Sequence, residues 1–507
     1  MKKFTGLVVI LAALVLGSYY GMGYLTEKKI REDLEKINET NGINVQISEY
    51  NRHWFSSDAI FNWKLYVPEQ VLTNANGQTQ TVPAHDYQLQ MPLTIHHGPV
   101  IFANKTVKFG LGYAHTDLTL PEKYVEQFND LFTADSIKPQ LGLSLFVSYL
   151  NNASLDTSIP AFKLIAKQGN AQFDWLGMNS TTSISPKMDE IEGNVAIDGM
   201  RFVKDQANTN LAAITSEYNL HQDKDGLYFG DVSFAFPSLV IMNQATKLLE
   251  IDQFNVRSNT NIENSLFSSQ FKVSIDKLVS HDKTYGPGNL EVAIRNLDAE
   301  VLARINQQVN QIQQSQPAER QMAMLALLPE LPKLFSKGPQ FEISEMNLNL
   351  PEGAIEGNLL ISLPKTDAGN PLELIKMVQG NGKLKVPAPV LKNLMTQSIA
   401  QRLANPEPPA PQTIQESIVQ QMQQQAVANQ AATQVQSAAP ATTSVPAKDP
   451  AVLTAEATVI ADKQLASMLQ SGLIMQQGND FVVDFKLEQG QLIVNNKPFD
   501  SSMLKFQ

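Results

Sequence analysis

The stretch "YQLQMPLTIHH" (residues 87–97) decides how the fold is read. Tyr87, Leu89, Met91, Leu93 and Ile95 take alternate positions, with Gln88, Gln90 and Thr94 between them. Successive side chains of a strand point to opposite faces, so this pattern predicts a strand apolar on one side and wet on the other. Such half-buried strands belong to antiparallel sheets. The same parity puts His97 on the apolar face and His96 on the wet face. Two neighbouring strand residues do not readily ligate one metal, so the pair is not read as a metal site. His97 is expected to be packed at a strand end and bonded to a main-chain carbonyl, with Gly98-Pro99 redirecting the chain.

Working outward, the period of two recurs. "AIFNWKLYV" (59–67), "VKFGLGY" (107–113), "FKVSIDKLV" (271–279), "NLEVAIRNLD" (289–298) and "FVVDFKLEQGQLIVNN" (481–496) all alternate. Helical segments are predicted at 120–132, 297–314, 319–335, 371–379, 388–404 and 461–478 from their apolar spacing and acidic or proline starts. Gly-Pro pairs at 98–99, 286–287 and 338–339 each precede an alternating run. They suggest diverged copies of a sheet-plus-helix unit, at spacings too unequal for a solenoid. The expected fold class is α+β and β-dominated: extended twisted antiparallel sheets with packing helices and a single N-terminal transmembrane helix.

The transmembrane expectation comes from the first residues. Lys2 and Lys3 precede an uncharged run of 22 residues, Phe4 to Leu25. About 20 apolar residues span a bilayer, and Tyr19, Tyr20 and Tyr24 would suit its interface. Residues 1–25 are therefore read as an uncleaved signal anchor in a bacterial inner membrane, with the bulk of the chain in the periplasm. Residues 26–41 read as a helical stalk ending at Asn41-Gly42. A first β-rich unit is placed at 42–290 and a second, with helices, at 291–404. A Pro/Gln/Ala-rich linker at 405–450 carries a helical stripe of Ile414, Ile418, Met422 and Ala426, and 451–507 forms a C-terminal helix and hairpin.

Composition narrows the function. The net charge of −11 and the lack of a basic block argue against nucleic acid as partner. The absence of cysteine excludes disulfides, thiolate metal sites and cysteine nucleophiles. No phosphate-binding loop, dinucleotide fingerprint, HExxH or complete EF-hand is present. "DKDG" (223–226) reads as a hairpin turn. In "NRHWFSSDA" (51–59), His53, Ser56, Ser57 and Asp58 lack a nucleophile elbow and read as a turn anchored by Trp54 and Phe55. No catalytic, cofactor-binding or metal-ligating residue is assigned, and no cofactor is expected.

The N-terminal run, Trp54-Phe55-Ser56-Ser57, His97-Gly98-Pro99 and "GQLIVNNKPF" (490–499) together resemble the YdgA family of Gammaproteobacteria. The resemblance spans nearly the whole chain. The family's aromatic segment usually reads Arg-Gly-Trp-Phe-Ser-Ser; here His53 replaces the glycine, so His53 is not a shared functional residue. The resemblance implies an inner-membrane-anchored, periplasm-facing protein without established catalytic residues. The expected function is non-enzymatic: an envelope protein binding lipid or another envelope component on a one-sided sheet. A scaffold for envelope proteins and a hydrolase with unidentified carboxylates are the alternatives. Expected partners are the inner membrane through residues 4–25, a lipid or envelope protein, and a second copy through the Gln/Ala-rich helix or a sheet edge.

Overall fold

The computed structural model describes residues 2–39, 43–67, 70–73, 79–103, 106–280, 282–314, 327–366, 371–404 and 450–500, with first-helix side chains from Leu14 on. The proposed linker helix at 414–426 lies outside the described residues. The chain divides into two compact units. Unit 1 comprises Met1–Pro351 and Asn358–Gln379; unit 2 comprises Glu352–Gly357 and Gly380–Gln507.

Unit 1 opens with α1 (Lys2–Glu39), followed by β1 (Ile43–Arg52), β2 (Ser56–Val67), the hairpin β3 (Gln70–Thr73) and β4 (Thr79–Val82), and β5 (His85–His97). A second hairpin, β6 (Ile101–Ala103) and β7 (Thr106–Lys108), leads to β8 (Gly112–Thr119), α2 (Glu122–Leu131) and β9 (Gln140–Val147). Short strands follow: β10 (Ala153–Ile159), β11 (Phe162–Ile165), β12 (Ala171–Trp175), β13 (Met178–Ile184), β14 (Glu190–Ile197), β15 (Met200–Lys204), β16 (Ala207–Leu211) and β17 (Ile214–Gln222). The two longest strands, β18 (Tyr228–Asn243) and β19 (Thr246–Glu263), precede β20 (Leu266–Ile275), β21 (Lys277–Ser280), β22 (Lys283–Tyr285), β23 (Gly288–Asp298), α3 (Ala299–Gln314) and β24 (Gln340–Leu350).

Pairing is antiparallel throughout, as the alternation predicts. One ladder runs β1–β2–β5–β8–β9–β10–β13–β14–β17–β18–β19–β20–β23–β24. A shorter ladder, β11–β12–β15–β16–β18–β19–β21–β22, shares the two long strands. The first half of β18 pairs with β17 and its second half with β16. Unit 1 is thus a sheet creased along one line, with a longer and a shorter arm.

The crease has a local cause. On each strand crossing it, the flanking apolar residues are three positions apart instead of two: Ile159/Phe162, Trp175/Met178, Ile197/Met200, Leu211/Ile214, Phe236/Leu239, Ile251/Phe254 and Ile275/Leu278. The extra residue at each crossing restores the parity, so apolar side chains stay on one side of both arms. Main-chain bonds bridge the crossings, such as Asp198 N–H to Gly177 O at 2.9 Å and Ala212 N–H to Ser238 O at 2.9 Å. Gly199 (φ 122°) needs its freedom here. A β-carbon on it would stand 2.6 Å from the Leu211 carbonyl oxygen.

Helices cover the apolar face at two places. In α1, Leu34 joins Val45, Ala59, Phe61, Met91 and Ile95 in a core beneath the helix. In α3, Ala299 and Ala303 pack with Leu227. The strands between are left open. From Gln140 to Ser280, Leu227 is the only buried hydrophobic side chain among the described residues.

The transmembrane expectation is overturned. No helix among the described residues is long and apolar enough to cross a membrane. From Glu27 on, α1 is densely charged and pairs those charges along itself, as in Arg31–Glu27 and Lys29–Asp33. The tyrosines assigned to a lipid interface make contacts with protein, although Tyr20 and Tyr24 stay about half exposed. The Tyr19 hydroxyl donates to Val100 O at 2.6 Å, and Arg52 lies over the Tyr20 and Tyr24 rings. The residues read as a stalk also pack on the sheet, through Ile30 and Leu34.

Two smaller expectations also change. "VKFGLGY" is not one strand: β7 ends at Lys108 and β8 starts at Gly112. Gly110 lies so close to β9 that a β-carbon would sit 2.5 Å from Val147 O, and the chain turns there. The helix predicted at 461–478 ends at Ser471, because Gly472 takes φ 78° and Leu473 N–H bonds back to Met468 O.

After β25 (Gly353–Ser362), unit 2 contains β26 (Gln379–Pro387) paired with β28 (Asp480–Glu488), which also pairs with β27 (Met475–Gln477) and β29 (Gln491–Val494). β30 (Lys497–Pro498) pairs with β29. Helices α4 (Ala388–Ala404) and α5 (Pro450–Ser471) pack through Ile399, Ala457 and Ala461. Leu465, Ile474 and Phe481 join α5 to the strands.

Candidate functional site

The residues flanking the crease form two continuous rows. Strand register sets Phe162 beside Trp175, then Met200, Leu211, Leu239, Ile251, Leu278 and Tyr285. The parallel row runs Ile159, Met178, Ile197 and Ile214, then Phe236 beside Phe254, and Ile275. Neither row contains a polar residue before Tyr285. Phe236 and Phe254 stack with centroids 5.1 Å apart, and the Phe162 and Trp175 rings lie 6.1 Å apart. The Trp175 indole N–H points back across the crease to Ile159 O at 3.4 Å. Adjacent strands are ~4.8 Å apart, so the stripe from β10 to β20 is about 30 Å long.

The stripe is narrow on the long arm. One row further out, register aligns Thr157, Ser180, Val195, Ser216, Phe234, Val256 and Val273, where hydroxyls interrupt the apolar side chains. This side is sheltered: Phe254, Val256, Ser258 and Thr260 are half-buried, while Arg257, Asn259 and Asn261 on the other side are exposed. The opposite face holds an open hollow of about 720 Å³ lined by residues that include Asn194, Glu217, Ser233, Arg257 and Lys272. Hydrophilic groups of both signs mark that face as solvated surface.

The motif residues singled out in the sequence meet elsewhere, under α1. Ser57 and His97 are fully buried, and the Ser57 hydroxyl lies 3.2 Å from His97 Nε2. His97 Nδ1 lies 3.2 Å from the main-chain oxygen of Tyr19. In the tautomer that satisfies both contacts, Nδ1–H donates to the carbonyl and Nε2 accepts from the hydroxyl. Burial holds the His97 pKa below its ordinary value, which keeps this neutral form. Gly23 presses on the ring: a β-carbon there would meet imidazole atoms at 2.6–2.9 Å. Phe55 meets Tyr19 edge-on at 4.9 Å, and Trp54 meets Tyr20 at 5.5 Å. Gly98 (φ 129°) leaves room for the Tyr19 ring, and Pro99 O accepts from the Tyr149 hydroxyl. Ser56 pairs with His96 in the β2–β5 register.

This arrangement fastens α1 to the sheet. Its third member is a main-chain carbonyl rather than a carboxylate, and the Ser57 hydroxyl is closed off from any substrate. His96 lies on the other face, stacked on His115 at 5.6 Å. Burial and the neighbouring His115 push its pKa down. His53 meets Asp58 at 3.4 Å on the exposed surface, apart from Ser57. Among the described residues, no group of three His, Asp or Glu side chains is placed to hold a metal ion. The double row escaped the sequence reading, although its three-residue offsets are visible in the sequence once the strands are aligned.

The fold and stripe define a β-sheet protein with an open apolar face and no assembled catalytic group among its described residues. The chain belongs to DUF945, a family of bacterial proteins of unknown function whose model matches residues 1–501. No curated protein matches the chain.

Proposed function

We propose that this chain is a non-enzymatic cell-envelope protein of the YdgA group, facing the periplasm, that holds the hydrocarbon part of a lipid along its crease. The observation that carries the reading is the uninterrupted double row on a sheet face that no helix among the described residues of unit 1 covers. Apolar surface left in water costs roughly 25 cal/mol per Å², and uncovered patches of this kind mark binding surfaces. The hydroxyl-rich row on the long arm narrows the apolar strip, which suits an elongated hydrocarbon better than a broad protein interface. The lack of cysteine is consistent with an exported chain.

The test is organic extraction of the purified full chain followed by mass spectrometry, with titration by a fluorescent fatty-acid analogue. Co-purifying lipid and saturable probe binding are expected. A lipid-free protein that also fails to bind the probe sinks the proposal.

A further inference from the structure

We propose that one tip of unit 1 is a docking surface for an anionic lipid bilayer, engaged from the side without crossing it. The tip consists of the β1–β2 turn (53–55), the described parts of the β5–β8 connection (98–103 and 106–111) and the β9–β10 turn (148–152). Because β1, β2, β5, β8, β9 and β10 are consecutive antiparallel neighbours, these connections leave the sheet at the same end. They are also tied together. Tyr19 meets Phe55 and bonds Val100 O, the Tyr149 hydroxyl donates to Pro99 O, and Leu111 N–H donates to Val147 O at 2.8 Å.

The tip turns large apolar groups outward. Trp54 is 56% exposed, Phe55 53%, Phe102 69%, Val107 53%, Phe109 63% and Leu150 79%. This is not loose packing. In β6, Ile101 and Ala103 are buried while Phe102 between them points out, opposite Val107. A folded hairpin that buries its isoleucine and alanine and exposes its phenylalanine presents that ring to something.

Charge selects the partner. None of the three connections contains Asp or Glu, although the chain carries −11 overall. They supply Lys108, and Arg52, which adjoins them, pairs with Glu27 at 3.5 Å. Lys108 lies over the Tyr113 and Phe146 rings, near the apolar tips. Farther along the sheet, the turns at 185–189 and 223–226 carry Asp189, Asp223 and Asp225. Exposed Trp and Phe beside a lysine, with the adjoining carboxylates Glu27 and Asp58 set against Arg52 and His53, is the pattern of peripheral attachment to anionic headgroups. The inference does not depend on the crease binding lipid.

The chain has no cysteine, so single cysteines at Phe102, Phe109 and, as control, the distant exposed Leu131 can each carry an NBD label in the full chain. Vesicles of phosphatidylcholine, with or without phosphatidylglycerol, are then added. Labels at 102 and 109 should brighten and shift to the blue only with phosphatidylglycerol, and the label at 131 should not. The unlabelled triple variant F102S/V107S/F109S should lose about tenfold in vesicle partitioning, and K108E should also weaken it. Labels at 102 and 109 that stay dark while the chain floats with vesicles would place attachment elsewhere and overturn the inference. So would a triple variant that partitions like the parent. A concentration-dependent shift without vesicles would identify a second copy as the occupant and overturn it equally.

Discussion

Replacing Phe236 and Phe254 together by serine tests whether the crease holds hydrocarbon. The two rings stack at 5.1 Å in the middle of the double row and are half-buried. A phenylalanine buries ~200 Å² at most, so each ring leaves on the order of 50 Å² for a ligand to cover. At ~25 cal/mol per Å², covering both rings contributes about 2.5 kcal/mol. Losing that weakens binding by roughly sixtyfold. The assay is fluorescence titration with a fatty-acid analogue on the full chain, with circular dichroism confirming that the variant keeps its sheet. The matched control is R257S/K272S, which alters β19 and its neighbour β20 on the wet face and should bind like the parent. A folded F236S/F254S protein with parental affinity refutes the reasoning, as does an equal loss in the wet-face control.

Other expectations follow from the same geometry. G23L puts a branched side chain where the His97 ring lies, so α1 should undock and limited proteolysis should cut within it; a protease-resistant G23L chain would contradict the packing. His97 is pushed down by burial, so the docked state favours the neutral ring while the unfolded chain titrates near 6.5. The stability it confers is therefore present above about pH 6.5 and lost as pH falls from there toward the lower folded value. H97Q should flatten the thermal midpoint between about pH 7 and about pH 5, with its surroundings (Ser57, the Tyr19 carbonyl and Arg52) unchanged. G199A forces a β-carbon against the Leu211 carbonyl at φ 122° and should cost about 1–3 kcal/mol in urea unfolding. In unit 2, the Asn495 side chain donates to Gly472 O and Leu473 O and accepts from Asp484 N–H, so N495A should cost about 2–3 kcal/mol.

Period-two alternation was enough to predict antiparallel strands and which face of β5 is apolar, because parity is local. Some helix positions followed from local signals too: α4 matches its predicted span from 388 to 404, whereas of the helix predicted at 319–335, residues 319–326 lie outside the described residues and only Leu331–Leu334 is α-helical. Three features depend on distant partners and could not be read that way. The uncharged run at the N-terminus has the composition of a membrane span, and only the strands beneath it show Tyr19, Tyr20 and Tyr24 engaged with protein. "VKFGLGY" keeps perfect alternation through a turn, since what bends the chain at Gly110 is the β9 backbone. The crease is written as offsets such as Phe236-Pro-Ser-Leu239 and Ile251-Asp-Gln-Phe254. Singly, an offset of three reads as the end of a strand. It becomes a line only when neighbouring strands are set in register.

The placement of hydroxyls bears on what the open face is for. Had the sheet been built to receive a permanent protein partner, its apolar side would resemble a core cut in half, without hydrophilic breaks. Instead Ser180, Ser216, Ser258 and Thr260 occupy inward positions of the long arm and keep most of that face tolerable in water. Only the two rows along the crease are free of them. Three-residue offsets set those rows side by side at each crossing from β10 to β21. The offsets therefore join short apolar segments from many strands into one line. That line suits a long flexible hydrocarbon that must enter and leave better than a partner that stays.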